Sequence, residues 1–219
     1  MAIVQTSLRR YRMSMIKPLC LTLALVAVGA PAQAADFSDP TWPCVQRKVA
    51  TLSLGLMWPH PVNSELADDN DALRADVTEL AGYLSLRRVE LETLQPRVDA
   101  FAATYDGDAE ALGLVFESVF NTLSKRRARI ITGIEDFSLS QIALAEQIDA
   151  NRAEMDSILV ADNPDFDRVD MLEERLDWDQ IIYTDRQRNI AYLCETPTLL
   201  ERRLFSIGQM LSAAVVDQG

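Results

Sequence analysis

One histidine, His60, and three cysteines, Cys20, Cys44 and Cys194, occur in 219 residues. So few soft ligands exclude the usual zinc sites, which take three or four His and Cys side chains. A Ser-His-Asp triad would have to use His60, and no Gly-x-Ser-x-Gly elbow accompanies it. Cys-x-x-Cys-His is missing, which excludes covalently attached c-type haem. No Gly-x-x-x-x-Gly-Lys loop or Gly-x-Gly-x-x-Gly fingerprint cradles a phosphate. The Glu-x-x-His pairs of a di-iron bundle are absent too. No catalytic residue, metal ligand or cofactor is therefore expected.

Basic residues are also scarce. The chain holds 21 Lys and Arg against 33 Asp and Glu, a formal charge of −12. Four of the basic residues (Arg9, Arg10, Arg12, Lys17) lie in the first 34, which contain no acid, so the remaining 185 residues carry −16. Binding to phosphates takes clustered Lys and Arg, so nucleic acid is not an expected partner. An anionic lipid surface is disfavoured for the same reason.

The N-terminus has the layout of an export signal. The four basic residues precede the apolar run Leu19 to Ala30, and Pro31-Ala32-Gln33-Ala34 offers small residues before a cut after Ala34. The run is about a dozen residues, too short to span a ~30 Å hydrocarbon core. Cys20 precedes the run, whereas a lipidated Cys must follow it, and Arg9-Arg10 lacks the surroundings of a twin-arginine signal. Residues 1–34 are read as a cleaved secretion signal and residues 35–219 as one helical domain. General secretion into a bacterial periplasm is the expected route. No later segment is apolar for long enough to span a membrane, so no stable insertion is expected after cleavage.

Export changes the reading of the cysteines. Cys20 leaves with the signal, and Cys44 and Cys194 remain, 150 positions apart. Two cysteines in an oxidising compartment are expected to pair. No Cys-x-x-Cys and no helix start surrounds either one to favour a reactive thiolate.

The body of the chain is patterned for helices. Val/Ile/Thr-rich alternating runs are missing. A short helix is expected over Thr41–Leu52, then an irregular stretch over Ser53–Asn63. Leu73, Val77, Leu80 and Leu84 define a helix over 69–84, and Leu91, Leu94, Val98 and Phe101 another over 90–104, regular from just before Pro96. Leu112, Phe116, Val119, Leu123, Ile130 and Phe137 follow a heptad-like seam. A break is expected near Asp136–Ser138, and the stripe resumes through Leu144, Ile148, Met155 and Leu159. After Ala161–Pro164 a long helix is predicted over 165–193, and a final one starting at Thr196-Pro197 with Leu200, Leu204, Ile207 and Leu211 inward. The expected fold is all-α: a single-domain bundle with long antiparallel, coiled-coil-like helices, turning near Asp162–Pro164 or near Phe137.

Three clusters invite a functional reading. Asn163, Asp165, Asp167 and Glu174 have EF-hand spacing, as do Asp106, Asp108, Glu110 and Glu117, but Arg168 and Ala111 stand where the calcium loop needs Gly. These acids also sit at helix starts, where they complement the macrodipole. Trp58 and His60, the latter between Pro59 and Pro61, form a stiff candidate recognition loop, although aromatic burial is the commoner fate of Trp. Lys125, Arg126, Arg127 and Arg129 form the one dense basic patch, a candidate partner contact or a solvated helix face.

The expected function is that of an exported, non-enzymatic helical protein that binds a protein partner of the cell envelope. The alternatives are a small-ligand or cation-binding bundle and an enzyme with an unfamiliar site using His60. The exported protein should begin at Ala35 and show no alkylatable thiol until it is reduced. Intact-mass measurement before and after reduction checks both, and two free thiols in the unreduced protein would refute the pairing.

Overall fold

A computed structural model describes residues 39–68 and 70–216. The expected signal at residues 1–34 lies outside them. Four α-helices make up the fold: α1 (Asp71–Leu84), α2 (Gln95–Thr104), α3 (Ala109–Leu159) and α4 (Phe166–Ser212). Short 3₁₀ turns occupy Leu54–Leu56, Ser64–Ala67 and Leu91–Leu94. No strand occurs among the described residues, so the chain is all-α.

Each α-helix begins where the local chemistry favours it. The Asn70 side chain accepts the Leu73 N–H at 3.0 Å and caps α1. Pro96 lies in the first turn of α2, where a missing N–H costs nothing. Asp108 accepts the Ala111 N–H at 2.9 Å to start α3, and Asp165 accepts the Arg168 N–H at 3.1 Å to start α4. Of the acids in the two EF-hand-like runs, Asp108 and Asp165 thus serve as caps and Glu110 and Asp167 as first-turn charges. Glu117 lies inside α3, where it accepts from the Ser64 hydroxyl at 3.0 Å. Glu174 lies on an exposed turn of α4.

Helix α3 has 51 residues and α4 has 47, so they run roughly 76 and 70 Å at 1.5 Å per residue. They form one antiparallel hairpin that turns at 160–165. Its register is marked by Arg127 on Glu201, Gln141 on the Tyr183 carbonyl and Arg168 on Glu154. Along α4 the inward positions Val169, Leu172, Leu176, Asp179, Tyr183, Arg186, Ile190 and Leu193 alternate three and four residues apart, a seven-residue repeat.

The main core fills one end of the hairpin. Leu112, Phe116 and Leu123 of α3 are fully buried against Leu200, Leu204, Ile207 and Leu211 of α4. Leu84 of α1 and Val98 of α2 close over them. Arg203 ties α4 to the end of α1, donating to the Leu84 carbonyl at 2.9 Å and the Val89 carbonyl at 3.0 Å. Burial lowers the proton affinity of that guanidinium. Tyr105 donates to Asp76 at 2.7 Å; burial first, and then this carboxylate, push its phenol up to about 12.

The segment before α1 departs from expectation. Residues 41–52 form no helix. They lie as a strap along the hairpin, antiparallel to α3. The Ser138 hydroxyl donates to the Pro40 carbonyl at 2.8 Å, and Lys48 pairs with Glu135. The bond to Glu135 is the main reason the Lys48 pKa is raised. Cys44 is disulfide-bonded to Cys194, with Cα atoms 5.5 Å apart. Ile134, Ile190, Leu193 and Trp42 pack round the bridge. A short helix carrying Pro43 has little intrinsic stability, and the covalent and packed contacts of the strap prevail.

Two expected breaks are also absent. Helix α3 continues through Asp136–Ser138, because Ile134 packs with Ile190 and Cys194 before it and Gln141 bonds the Tyr183 carbonyl after it. Helix α4 continues through Thr196 with Pro197 buried inside it. A proline costs about 3 kcal/mol in a helix interior. Packing of Leu193 and Cys194 before it, and of Leu200 and Leu204 after it, holds the axis.

The strap enters the core at Trp58, which stacks on Phe116 with ring centroids 5.5 Å apart. Two glycines make room for it. A Cβ at Gly208 would lie 2.6 Å from the Met57 carbonyl oxygen, and one at Gly113 would lie 3.1 Å from the Trp58 indole nitrogen. Gly133, in contrast, faces open space on α3. Gly208→Ala is therefore expected to destabilise the protein by about 1–3 kcal/mol through overpacking. Gly133→Ala should stabilise it by about 0.5–1 kcal/mol through helix propensity. Urea unfolding of the two variants compares them directly.

Arg127 is a second sensitive point. It is buried, and its Nε donates to the Glu201 carboxylate at 2.7 Å. Removing the acid leaves an uncompensated buried cation, so Glu201→Ala should cost on the order of 3 kcal/mol. Replacing the pair by Arg127→Met with Glu201→Leu should recover most of that loss. Denaturation midpoints of the single and double variants check the difference.

Candidate functional site

Beyond Ser138 the hairpin becomes an arm. Among the described residues, the tertiary hydrogen bonds and ion pairs of α3 past this point go to α4. Gln141 reaches Tyr183, Arg152 reaches Gln180, Glu154 pairs with Arg168, and Ser140 accepts from Arg186. Leu139–Leu159 extends roughly 30 Å at helical rise. The seam is narrow. Ile148, Val169 and Leu172 are buried, whereas Ala145, Met155, Leu176 and Tyr183 are only partly covered.

The outer face of α4 carries a second apolar set. Met171, Trp178, Ile181 and Ile182 recur at helical spacing, and all four are exposed, Trp178 by 61%. Trp178 lies six residues from Leu172, about 120° round the helix from the seam. Tyr192 extends the same side toward the core end. A groove of about 450 Å³ runs between this face and α3, lined by Gln147, Asn151, Met171, Leu172 and Trp178. On the other flank Pro43, Phe137, Ile142, Tyr183 and Ile190 line a groove of similar volume at the root of the arm.

The charge of the arm is one-sided. Residues 139–192 contain thirteen acids and five arginines. Four of those arginines are already held by carboxylates of the arm. Arg152 pairs with Asp149, Arg168 with Glu154, Arg175 with Asp179 and Arg188 with Asp185. Asp179 is buried, and Arg175 donates to it at 2.9 Å. Asp167, Asp170, Glu174 and Asp177 are exposed beside the apolar set, and none has an ion-pair partner among the described residues. Acids and large apolar side chains thus interleave along one face.

The residues singled out from the sequence are distributed differently. Trp58 is buried in the core, and His60 packs edge-on against it with ring centroids 5.3 Å apart. The indole is therefore core and not an exposed recognition element, because Phe116 and the gap at Gly113 receive it. Arg127 leaves the basic patch, since its place on α3 turns it inward to Glu201. Lys125 and Arg129 remain exposed and Arg126 partly so, at the core end of the hairpin. No group of three or more His, Cys, Asp or Glu among the described residues is placed to hold a metal ion. No described helix is long and apolar enough to cross a membrane.

Comparison with protein-family models, curated proteins and solved structures finds no match for this chain. The outer apolar set escaped the periodicity argument because the inward stripe alone accounts for α4. The available signal was a second stripe at the seven-residue spacing of Met171 and Trp178, continued by Ile181 and Ile182.

If the outer set serves binding and the inner set folding, their substitutions should separate. Trp178→Ala should change unfolding stability by less than about 0.5 kcal/mol, as exposed sites do. Leu172→Ala, at a buried seam position, should cost about 2–5 kcal/mol. Thermal or urea unfolding of the two variants reads this contrast.

Proposed function

We propose that this protein is an exported, non-enzymatic interaction module of the cell envelope, whose hairpin arm engages another protein. The observation that carries this reading is the exposed Met171, Trp178, Ile181 and Ile182 face on an arm that projects past the packed core. An isolated exposed apolar residue is ordinary, but a contiguous set beside a groove marks an interaction surface. The disulfide-strapped core end then acts as a rigid mount. The signal-like first 34 residues and the disulfide support a periplasmic setting, where such a bridge persists.

A photo-crosslinking residue placed at Trp178 or Ile181 should yield discrete protein adducts in intact envelopes. The same residue at Gln209, exposed at the core end, should not. Equal adduct patterns from both ends, or none from the arm, would contradict the reading.

A further inference from the structure

We infer that the outer face of α4 is a docking site for a basic amphipathic helix of another protein. This rests on the interaction-module reading and names the chemistry of the partner. Met171, Trp178, Ile181 and Ile182 offer an apolar stripe at helical spacing, with a groove of about 450 Å³ alongside. An apolar helix face laid along it fits the helix-in-groove mode, with anchors three, four and seven residues apart.

Charge selects the occupant. Asp167, Asp170, Glu174 and Asp177 border the stripe, exposed and without ion-pair partners among the described residues. The groove's own cations, Arg168 and Arg175, are held by Glu154 and Asp179. The face thus presents unpaired negative charge beside apolar area. A helix with Lys or Arg flanking an apolar stripe complements both features. A second copy of the same face would bring acids against acids, which like-charge repulsion disfavours. The patch Lys125, Arg126 and Arg129 lies 18 or more residues from Gln147 of the groove, roughly 27 Å along α3 and beyond the screening length, and leaves this field uncompensated.

The test uses the oxidised chain from residue 35 to 219 and a synthetic Leu/Lys amphipathic helix of roughly 18 residues, five helical turns. Its comparators are a scrambled Leu/Lys peptide and an amphipathic Leu/Glu peptide, read by fluorescence anisotropy of the labelled peptide. The ordered Leu/Lys helix should bind tighter than both comparators, and binding should weaken with salt. Trp178→Ala with Ile181→Ala should weaken it by about tenfold or more, as loss of central anchors does. Asp170→Asn, Glu174→Gln and Asp177→Asn together should weaken it comparably and flatten its salt dependence. Should the apolar variant fold poorly by circular dichroism, this surface-charge variant carries the test. Neutralising Asp68, Glu92 and Glu110 at the core end should leave binding unchanged.

No preference for the ordered Leu/Lys helix overturns the inference, as does an equal loss from the core-end neutralisations. Sedimentation showing a dimer that Trp178→Ala dissolves would also overturn it, making a second copy the occupant. Crosslinks from Trp178 in envelopes combined with a failed peptide experiment would sink the basic-helix partner and spare the interaction module. Failure of both would remove both.

Discussion

The pairing of α3 with α4 is the contact on which the rest of the structure depends. Neither helix is held by intrinsic propensity, because helical stability in water comes mainly from burying an amphipathic face. Each face finds its partner in the other helix. At the core end the seam is widened by α1, α2 and the strap, and side chains such as Phe116 and Leu204 are fully buried. In the arm the same seam stands alone. Helices α3 and α4 therefore pass from a packed core to a two-helix support without a break in either axis.

The strap explains how the core end resists opening. It crosses from Pro40 beside Ser138 to Trp58 beside Phe116, and Cys44 fastens it to α4 near its start. A bridge joining residues 150 positions apart removes much conformational freedom from the unfolded chain, roughly 5 kcal/mol in the chain-entropy picture. The bridge also lies close to Pro197, where α4 lacks one backbone hydrogen bond. Covalent restraint and packing thus coincide with the weakest point of the long helix. The glycines at 113 and 208 act at the other end of the strap, where they let Trp58 and Met57 approach both helices.

Electrostatics divides the molecule along its length. At the core end charges are used structurally, as in Arg127 on Glu201 and Arg203 on two backbone carbonyls. In the arm the arginines are consumed locally and a surplus of acids faces outward. The net charge of −12 is therefore not spread evenly: much of it lies along the projecting helices, beside their exposed apolar side chains. Acid with apolar surface on one face defines a narrower class of partner than acid alone.

The all-α class, the helices near 71–84 and 95–104, the helix starts near Asp108 and Asp165 and the Cys44–Cys194 pairing were legible from residue types and spacing. These features depend on local chemistry: a 3.6-residue period, a carboxylate at a helix start, two cysteines left to pair. Tertiary structure decided the rest. It kept α3 and α4 continuous where Asp136 and Pro197 suggested breaks, and pulled residues 41–52 into a strap. It also turned Arg127 inward, away from its basic neighbours. A local signal is worth about 1–3 kcal/mol, and a long apolar seam with a covalent tether outweighs it. The candidate site was hidden for a related reason. The sequence shows that Met171, Trp178, Ile181 and Ile182 are apolar, but only the placement of α3, α1, α2 and the strap determines which apolar stripe is buried and which faces solvent.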